Sequence, residues 1–304
     1  MRPDDPALLP LAVRSGDVTL HLVRTPACPG ERRAPVLFLH GFPDSHATWT
    51  RQFEGLAPMH PIAAFDQRGV GRSTAPASRA GTRIASYLGD IDAAIDAVAG
   101  PEGQVHLVGH DWGGMLAWHY LGDAARRARV RSFSAIAAPH PGMAMAQLIA
   151  RVKRHSLADL RFLAEQVRRS WYIFLFQIPG LPELYLTRDV VGMWVRTHRS
   201  GGVEAGDPEL ARVDPELARS TLISPLALYR QMLVRRPPPP MIDVPVCIVV
   251  PTRDLAIAPE LFDNAPEYVP DLEMHHIDDN HWLHRSRATA VNEILHDFIA
   301  RHDP

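Results

Sequence analysis

The chain has 304 residues, enough for one large core or two modest domains. Its composition, 46% hydrophobic and 22% charged, is that of an ordinary globular protein, and a net charge of −2 lacks the basic excess of a dedicated nucleic-acid binder. Two cysteines, Cys28 and Cys247, are too few for a disulfide framework or a cysteine metal site, which points to a reducing, cytoplasmic setting.

The N-terminal stretch "MRPDDPALLPLAV" mixes acids and prolines and is not a secretory signal. No segment reaches the roughly 18 consecutive apolar residues of a membrane span, so no integral span is expected and peripheral contact stays open. "VTLHLVRTP" alternates like a strand. "PVLFLHGF" and "PIAAFDQRGVGRS" are short apolar runs that end in polar, glycine-bearing loops, as buried strands do. "IASYLGDIDAAIDAVAG" has helical spacing and a C-terminal glycine. "VHLVGHDWGGMLAWHY" reads as strand, sharp turn and helix. "ARRARVR" around Arg126 suits a solvated helix end. "RSFSAIAAPHPG", "VPVCIVVPTRD" and "LEMHHIDD" continue the strands, and "ATAVNEILHDFIARH" closes the chain as an amphipathic helix.

Strands alternating with helices imply a mostly parallel sheet covered on both faces. From about Pro141 to Pro240 that alternation stops. The segment is rich in helix formers and aromatics and ends in the stiff "RRPPPP". The expectation is an α/β core (residues 1–140 and 241–304) interrupted by a helical cap (141–240). The cap would roof the strand ends where open α/β sheets bind ligands.

"GHDWGG" fits the nucleophile-elbow pattern G-x-Nuc-x-G with Asp111 at its centre. A glycine-rich turn with a capping aspartate is the plain alternative. The rest of the chain favours the elbow, because the expected order of nucleophile, acid and histidine continues. "VVPTRD" places Asp254 just past a buried strand, and "DDNHWLH" places His281 in the loop after the next one. "HGFP" supplies the Phe42 N–H as one oxyanion donor, and the residue after the nucleophile, Trp112, supplies the other. Of the 16 histidines, His281 lies in the loop the triad order requires. His40 suits support of the oxyanion loop, His110, His275 and His276 suit packing or hydrogen bonding, and His119 and His296 fall on helices. No pair has convincing metal-ligand spacing, so neither metal nor cofactor is expected.

A carboxylate nucleophile narrows the reaction. Its adduct with an ester or amide carbonyl would expel the carboxylate again. Attack on a saturated carbon bearing a strained ring oxygen or a halide instead leaves a stable alkyl ester on Asp111. Water deprotonated by His281, oriented by Asp254, then cleaves that ester. An opening epoxide wants O–H donors, which Tyr172, Tyr185 and Tyr229 could provide. A departing halide wants N–H donors, with which Trp112 is compatible.

With these residues assembled, the chain resembles the α/β-hydrolase-fold epoxide hydrolases over nearly its whole length. "HGFPDSHATW", "DQRGVGRS", "GHDWGGMLAW", "PTRD" and "DDNHW" are similar to that family's core motifs. "WYIFLFQIPG" and "LALYRQM" are similar to the cap segments that carry its two ring-oxygen tyrosines. The resemblance implies Asp111 as nucleophile, His281 as base, Asp254 as its orienting acid, and Tyr172 and Tyr229 as ring-oxygen donors. Tyr185 competes with Tyr172 for the first donor position. Trp171, Phe176, Tyr185 and Trp282 are candidates to line a pocket for a small apolar epoxide. Some mycobacterial relatives of this type carry a dehydrogenase domain after the hydrolase, so a longer chain with such a domain is compatible, as is a homodimer. Two rivals stay open. One is a haloalkane dehalogenase, against which Phe42 stands where many dehalogenases place a halide-binding asparagine. The other is a non-catalytic ligand-binding protein.

Overall fold

The strands are β1 (Leu9–Ser15), β2 (Val18–Arg24), β3 (Val36–Leu39), β4 (Ile62–Phe65), β5 (Val105–His110), β6 (Val130–Ile136), β7 (Val246–Pro251) and β8 (Leu272–Ile277). They form one eight-stranded sheet in the order β1-β2-β4-β3-β5-β6-β7-β8. The computed structural model describes residues 8–26, 32–211, 213–232 and 240–303. Cys28 and most of the "RRPPPP" connector lie outside the described residues.

The sequence pattern explains the pairing. Every residue of β3, β4, β5 and β7 is buried, as in parallel strands covered on both faces. From β4 to β8 all neighbours pair in parallel, while β1–β2 and β2–β4 are antiparallel. β1 is not among the strands that the sequence pattern marks. It is an edge strand with two of its seven residues buried, so its hydrophobic signal is thin, and its edge position tolerates Pro10.

Between β3 and β6 run α1 (Thr50–Leu56), α2 (Ile84–Ala99), α3 (Trp112–Leu121) and the short α4 (Ala124–Arg127). The sheet's pleat sends Leu37 and Leu39 into one core cluster with α2 and α3. It sends Val36 and Phe38 into another with α1 and the C-terminal helix. Arg126 on α4 forks onto Asp92, so it serves the surface of α2.

After β6 the chain leaves the sheet and runs through helices before returning at β7. These are α5 (Pro141–Arg154), α6 (Leu157–Arg169), α7 (Trp171–Phe176), α8 (Leu181–Leu186), α9 (Val190–Ser200), α10 (Pro208–Ala211), α11 (Pro215–Ile223) and α12 (Leu226–Met232). Phe176, Trp194, Leu222 and Tyr229 from this insertion join the same core cluster as Trp112 and Met115 of α3. The helical layer therefore seats on the end of the sheet where α3 starts. The chain closes with α13 (Leu283–Ser286) and α14 (Ala288–Arg301).

Candidate active site

Asp111 sits between the last residue of β5 and the first of α3 with φ 50° and ψ −120°. A non-glycine residue held there stores on the order of 1–3 kcal/mol of strain. The framework holds it from both sides. Its N–H donates to Ile136 O at 3.2 Å, and its carbonyl accepts from Met115 N–H at 2.9 Å. The neighbouring glycines are required by crowding. A Cβ on Gly113 would lie 2.1 Å from Leu39 O, and one on Gly41 would lie 2.5 Å from the Asp111 Cβ. The turn thus presses the nucleophile candidate against the loop that follows β3.

Three loops converge on the Asp111 carboxylate. From the β3 loop, Phe42 N–H donates to Oδ1 at 2.9 Å. From the loop after β8, His281 Nε2 faces Oδ2 at 3.6 Å. From the loop after β7, Asp254 Oδ2 lies 2.7 Å from His281 Nδ1, while its Oδ1 accepts from the N–H groups of Ala256 and Ile257. Trp112 is the first residue of α3, so its N–H lies outside the helix's own ladder.

These partners set the charges. Burial alone would lower the His281 pKa, but the Asp254 charge and the hydrogen bonding of Asp111 outweigh it and raise the value to about 10. Burial pushes Asp254 the other way, yet the His281 charge, with two backbone N–H donors, holds it below the usual carboxylate range. At neutral pH His281 is therefore an imidazolium paired with the Asp254 carboxylate.

The roof is aromatic. Tyr172 of α7 and Tyr229 of α12 meet edge-to-face with ring centroids 5.9 Å apart. Phe42, Trp112 and Phe176 each meet the Tyr229 ring edge-to-face at 5.0–5.3 Å. Burial, with the Asp111 charge nearby, raises both phenols well above their ordinary pKa. The structure brings Tyr172, not Tyr185, to Tyr229. Tyr185 is 48% exposed and Trp171 is 59% exposed, and both belong to the outer surface of the helical layer. One helix turn explains this. On α7, Tyr172 and Phe176 share one face at i and i+4, and Trp171 faces away from it. Trp282 is buried beside His281, but its indole N–H is bound to Asp44, so it braces the histidine loop.

Several residues acquire roles that spacing did not reveal. Asp44, two residues past Phe42, accepts from His198 Nε2 of α9 at 2.9 Å and from Trp282 Nε1 at 2.8 Å. Trp194 of α9 donates to Pro43 O, the residue of the cis Phe42–Pro43 bond. One loop therefore ties the Phe42 N–H, the His281 loop and the helical layer together. His110 places Nε2 3.0 Å from His281 O and steadies the same loop. His40 steadies the loop after β3, with Gln67 N–H donating to its Nε2 at 3.0 Å.

Away from the cluster, His21, His46 and Asp66 bring ligand-type atoms within 4.8 Å of one another, although they are far apart in sequence. Asp66 is spent locally. Its Oδ1 takes the His46 N–H and faces His46 Nδ1 at 2.7 Å, and its Oδ2 takes Arg72 N–H. The group braces the loop after β4. A cavity of about 560 Å³ opens beside Arg285 and the start of α14, and none of the residues that converge on Asp111 lines it.

Comparison with known proteins agrees with this architecture. The profile of the alpha/beta hydrolase fold matches residues 34–168. The "Probable oxidoreductase EphD" of Mycobacterium tuberculosis is 30% identical over 271 residues, which cover 86% of this chain and 45% of that one, so the chain spans about half that relative's length. Epoxide hydrolase 3 of Xenopus tropicalis is 27% identical over 95% of this chain and 77% of its own. An epoxide hydrolase from Bacillus megaterium, solved with its product, superposes with a TM-score of 0.77 at 24% identity, covering 95% of this chain and all of that one. An epoxide hydrolase structure from hot-environment metagenomes gives a TM-score of 0.76 at 25% identity over 96% and 98%. The chain has the α/β-hydrolase fold, and its resemblance is to the epoxide hydrolases of that fold.

Proposed function

We propose that the protein hydrolyses an apolar epoxide to a vicinal diol through an ester on Asp111. The observation that carries this reading is the carboxylate itself. One oxygen is held by the Phe42 N–H, the other faces His281 at 3.6 Å, and two phenols close the roof. Relatives named epoxide hydrolases support it.

In the first step Asp111 Oδ2 attacks a ring carbon and the ring C–O bond breaks. The Tyr172 and Tyr229 hydroxyls hydrogen-bond the departing oxygen, and one of them gives it a proton. The ester carries no charge, so the Asp111 contribution to the raised His281 pKa disappears. The imidazolium then returns a proton to the phenolate and becomes a base. In the second step neutral His281 takes a proton from water, and the hydroxide attacks the Asp111 carbonyl carbon. The Phe42 N–H, already on Oδ1, stabilises the oxyanion together with the Trp112 N–H. Collapse releases the diol and restores the carboxylate, the imidazolium and both phenols.

In this reading residues 141–240 are the cap that carries the ring-oxygen donors, and Phe176 is the pocket wall beside them. A dehalogenase would need indole N–H donors for the halide. Phe42 stands where a second N–H donor, a halide-binding asparagine, would be needed, which disfavours that reaction. The setting is cytoplasmic in the same reading. Cys247 is a buried free thiol pushed up to about 12 by burial, and it has no part in the chemistry.

A single turnover with excess enzyme in heavy-oxygen water tests the route, using styrene-type, terminal alkyl and fatty-acid epoxides as substrates. The label is expected in the Asp111 carboxylate. Label passing straight into the diol would overturn the ester route, and halide release from bromoalkanes without epoxide turnover would replace the reading with a dehalogenase.

A further inference from the structure

The helical layer is apolar on its outer side as well as its inner one. Among the described residues, 11 of the 14 exposed large hydrophobic side chains fall between Ile149 and Tyr185. Along α6, α7 and the turn that follows they recur at spacings of three, four and seven residues. The series comprises Leu157, Leu160, Val167, Trp171, Phe174 and Ile178, each between 49% and 64% exposed. Ile149 and Val152 on α5 extend it on one side, and Leu181, Leu184 and Tyr185 on α8 extend it on the other. Phe162 is the residue of α6 packed against the core, and polar contacts accompany it on that side. Gln166 donates to Ala256 O and accepts from Ala258 N–H, and Arg169 donates to Asp254 O. A surface helix normally turns its apolar stripe to the core, so an apolar series this long facing outward marks an interaction surface.

Charge selects the partner. Residues 141–200 hold nine Lys and Arg against four Asp and Glu, a net of +5 in a chain whose own net charge is −2. The four acids are already engaged. Asp159 meets Arg151 and Arg154, Glu165 meets Arg168 and Arg169, Asp189 meets Arg196, and Glu183 meets Arg230. The excess is therefore cationic, with exposed Lys153 and Arg161 directly beside Val152 and Leu160 of the apolar face.

We propose that the outward face of α5–α8 docks on an anionic lipid bilayer surface. An apolar helical face edged by Lys and Arg is what the interface of such a membrane takes up. A second copy of this chain fits less well, because a two-fold contact through this patch sets like charge against like. The docking does not depend on the proposed chemistry. If both hold, α7 joins them. Trp171 and Phe174 enter the lipid while Tyr172, on the same helix, reaches the reacting oxygen, so an epoxide dissolved in the bilayer is delivered next to its donors.

Sedimentation of the full chain with vesicles tests this without reference to activity. Binding is expected to vesicles of phosphatidylcholine mixed with phosphatidylserine, to weaken in high salt, and to fall sharply on phosphatidylcholine alone. The variant L160S/V167S/F174S should bind the mixed vesicles roughly ten-fold or more weakly with its melting temperature retained. Because exposed changes can still disturb a helix, K153E/R161E serves as a second variant. It should lose the preference for the anionic lipid while leaving the apolar face intact. Failure to sediment with the mixed vesicles at low salt would overturn the proposal, as would binding unchanged by both variants. A dimer that the triple variant dissolves, in a chain that ignores vesicles, would assign the face to a second copy instead. A soluble acidic protein that binds it in place of vesicles would also reject the lipid.

Discussion

A histidine between two carboxylates has a charge state that depends on both. In the resting arrangement His281 is raised to about 10, although it is fully buried, because Asp254 and Asp111 both favour the imidazolium. In the proposed reaction water activation needs the neutral ring, so the cluster would work as a base only after one carboxylate is discharged. Asp111→Asn imitates that discharge. Its His281 should titrate below the value of about 10 in the unmodified protein, measured by following the imidazole ring signals by NMR. A titration identical in both proteins would remove Asp111 from the electrostatics of the base. The phenols make a separate prediction. In the proposed reaction Tyr172→Phe or Tyr229→Phe would remove one proton donor, and general-acid terms are typically worth 10²–10⁴-fold. Each substitution should slow ester formation by about 10²-fold in stopped-flow single turnover and leave ester hydrolysis nearly unchanged. Slowing confined to the hydrolytic step would place the phenols elsewhere in the mechanism.

Elements hold these residues in place, and Asp44 is where they meet. Its buried carboxylate joins the loop after β3, α9 of the helical layer, and the His281–Trp282 loop. Asp44→Ala would leave the His198 and Trp282 N–H groups buried without that acceptor. Breaking such a buried polar network costs about 3 kcal/mol. Urea unfolding should show that loss, and kcat should fall with it because the His281 loop is released. Stability within about 0.5 kcal/mol of the parent would show that the three elements hold without the clip. This network also marks where sequence reading stops. The elbow, the acid and the histidine were legible because each falls at the end of an apolar run, in a fixed chain order. Asp44 looked like one more loop acid because its partners lie 154 and 238 residues away. Tyr172 and Tyr185 were indistinguishable by spacing, since which face of a short helix turns inward is set by packing. β1 went unread because an edge strand needs few apolar residues.

The molecule as a whole buries an unusual set of neutral histidines, and this fixes its response to acid. Burial lowers His106 to about 4, and His140 and His284 to about 3. Burial also lowers His40 and His110. In the unfolded chain each of these groups takes a proton near its ordinary value of 6.5, so below that pH the unfolded state binds more protons and stability falls as pH falls. Each such histidine loses about 1.4 kcal/mol per pH unit until its folded pKa is reached. The paired carboxylates join later. His46 outweighs burial and holds Asp66 at about 2, so its contribution is present above 3.8 and is lost only as pH falls towards 2. His281 acts on the opposite limb. Raised to about 10, it contributes fully below 6.5 and is lost as pH rises through 10. Stability should therefore be greatest around neutrality, fall steeply from pH 6.5 towards 4, and decline more gently on the alkaline side. Melting temperatures recorded across this range check the shape. A flat profile between pH 6.5 and 4.5 would mean that the buried histidines accept protons without unfolding. A profile whose acid limb begins only below 4 would assign acid sensitivity to the carboxylates alone.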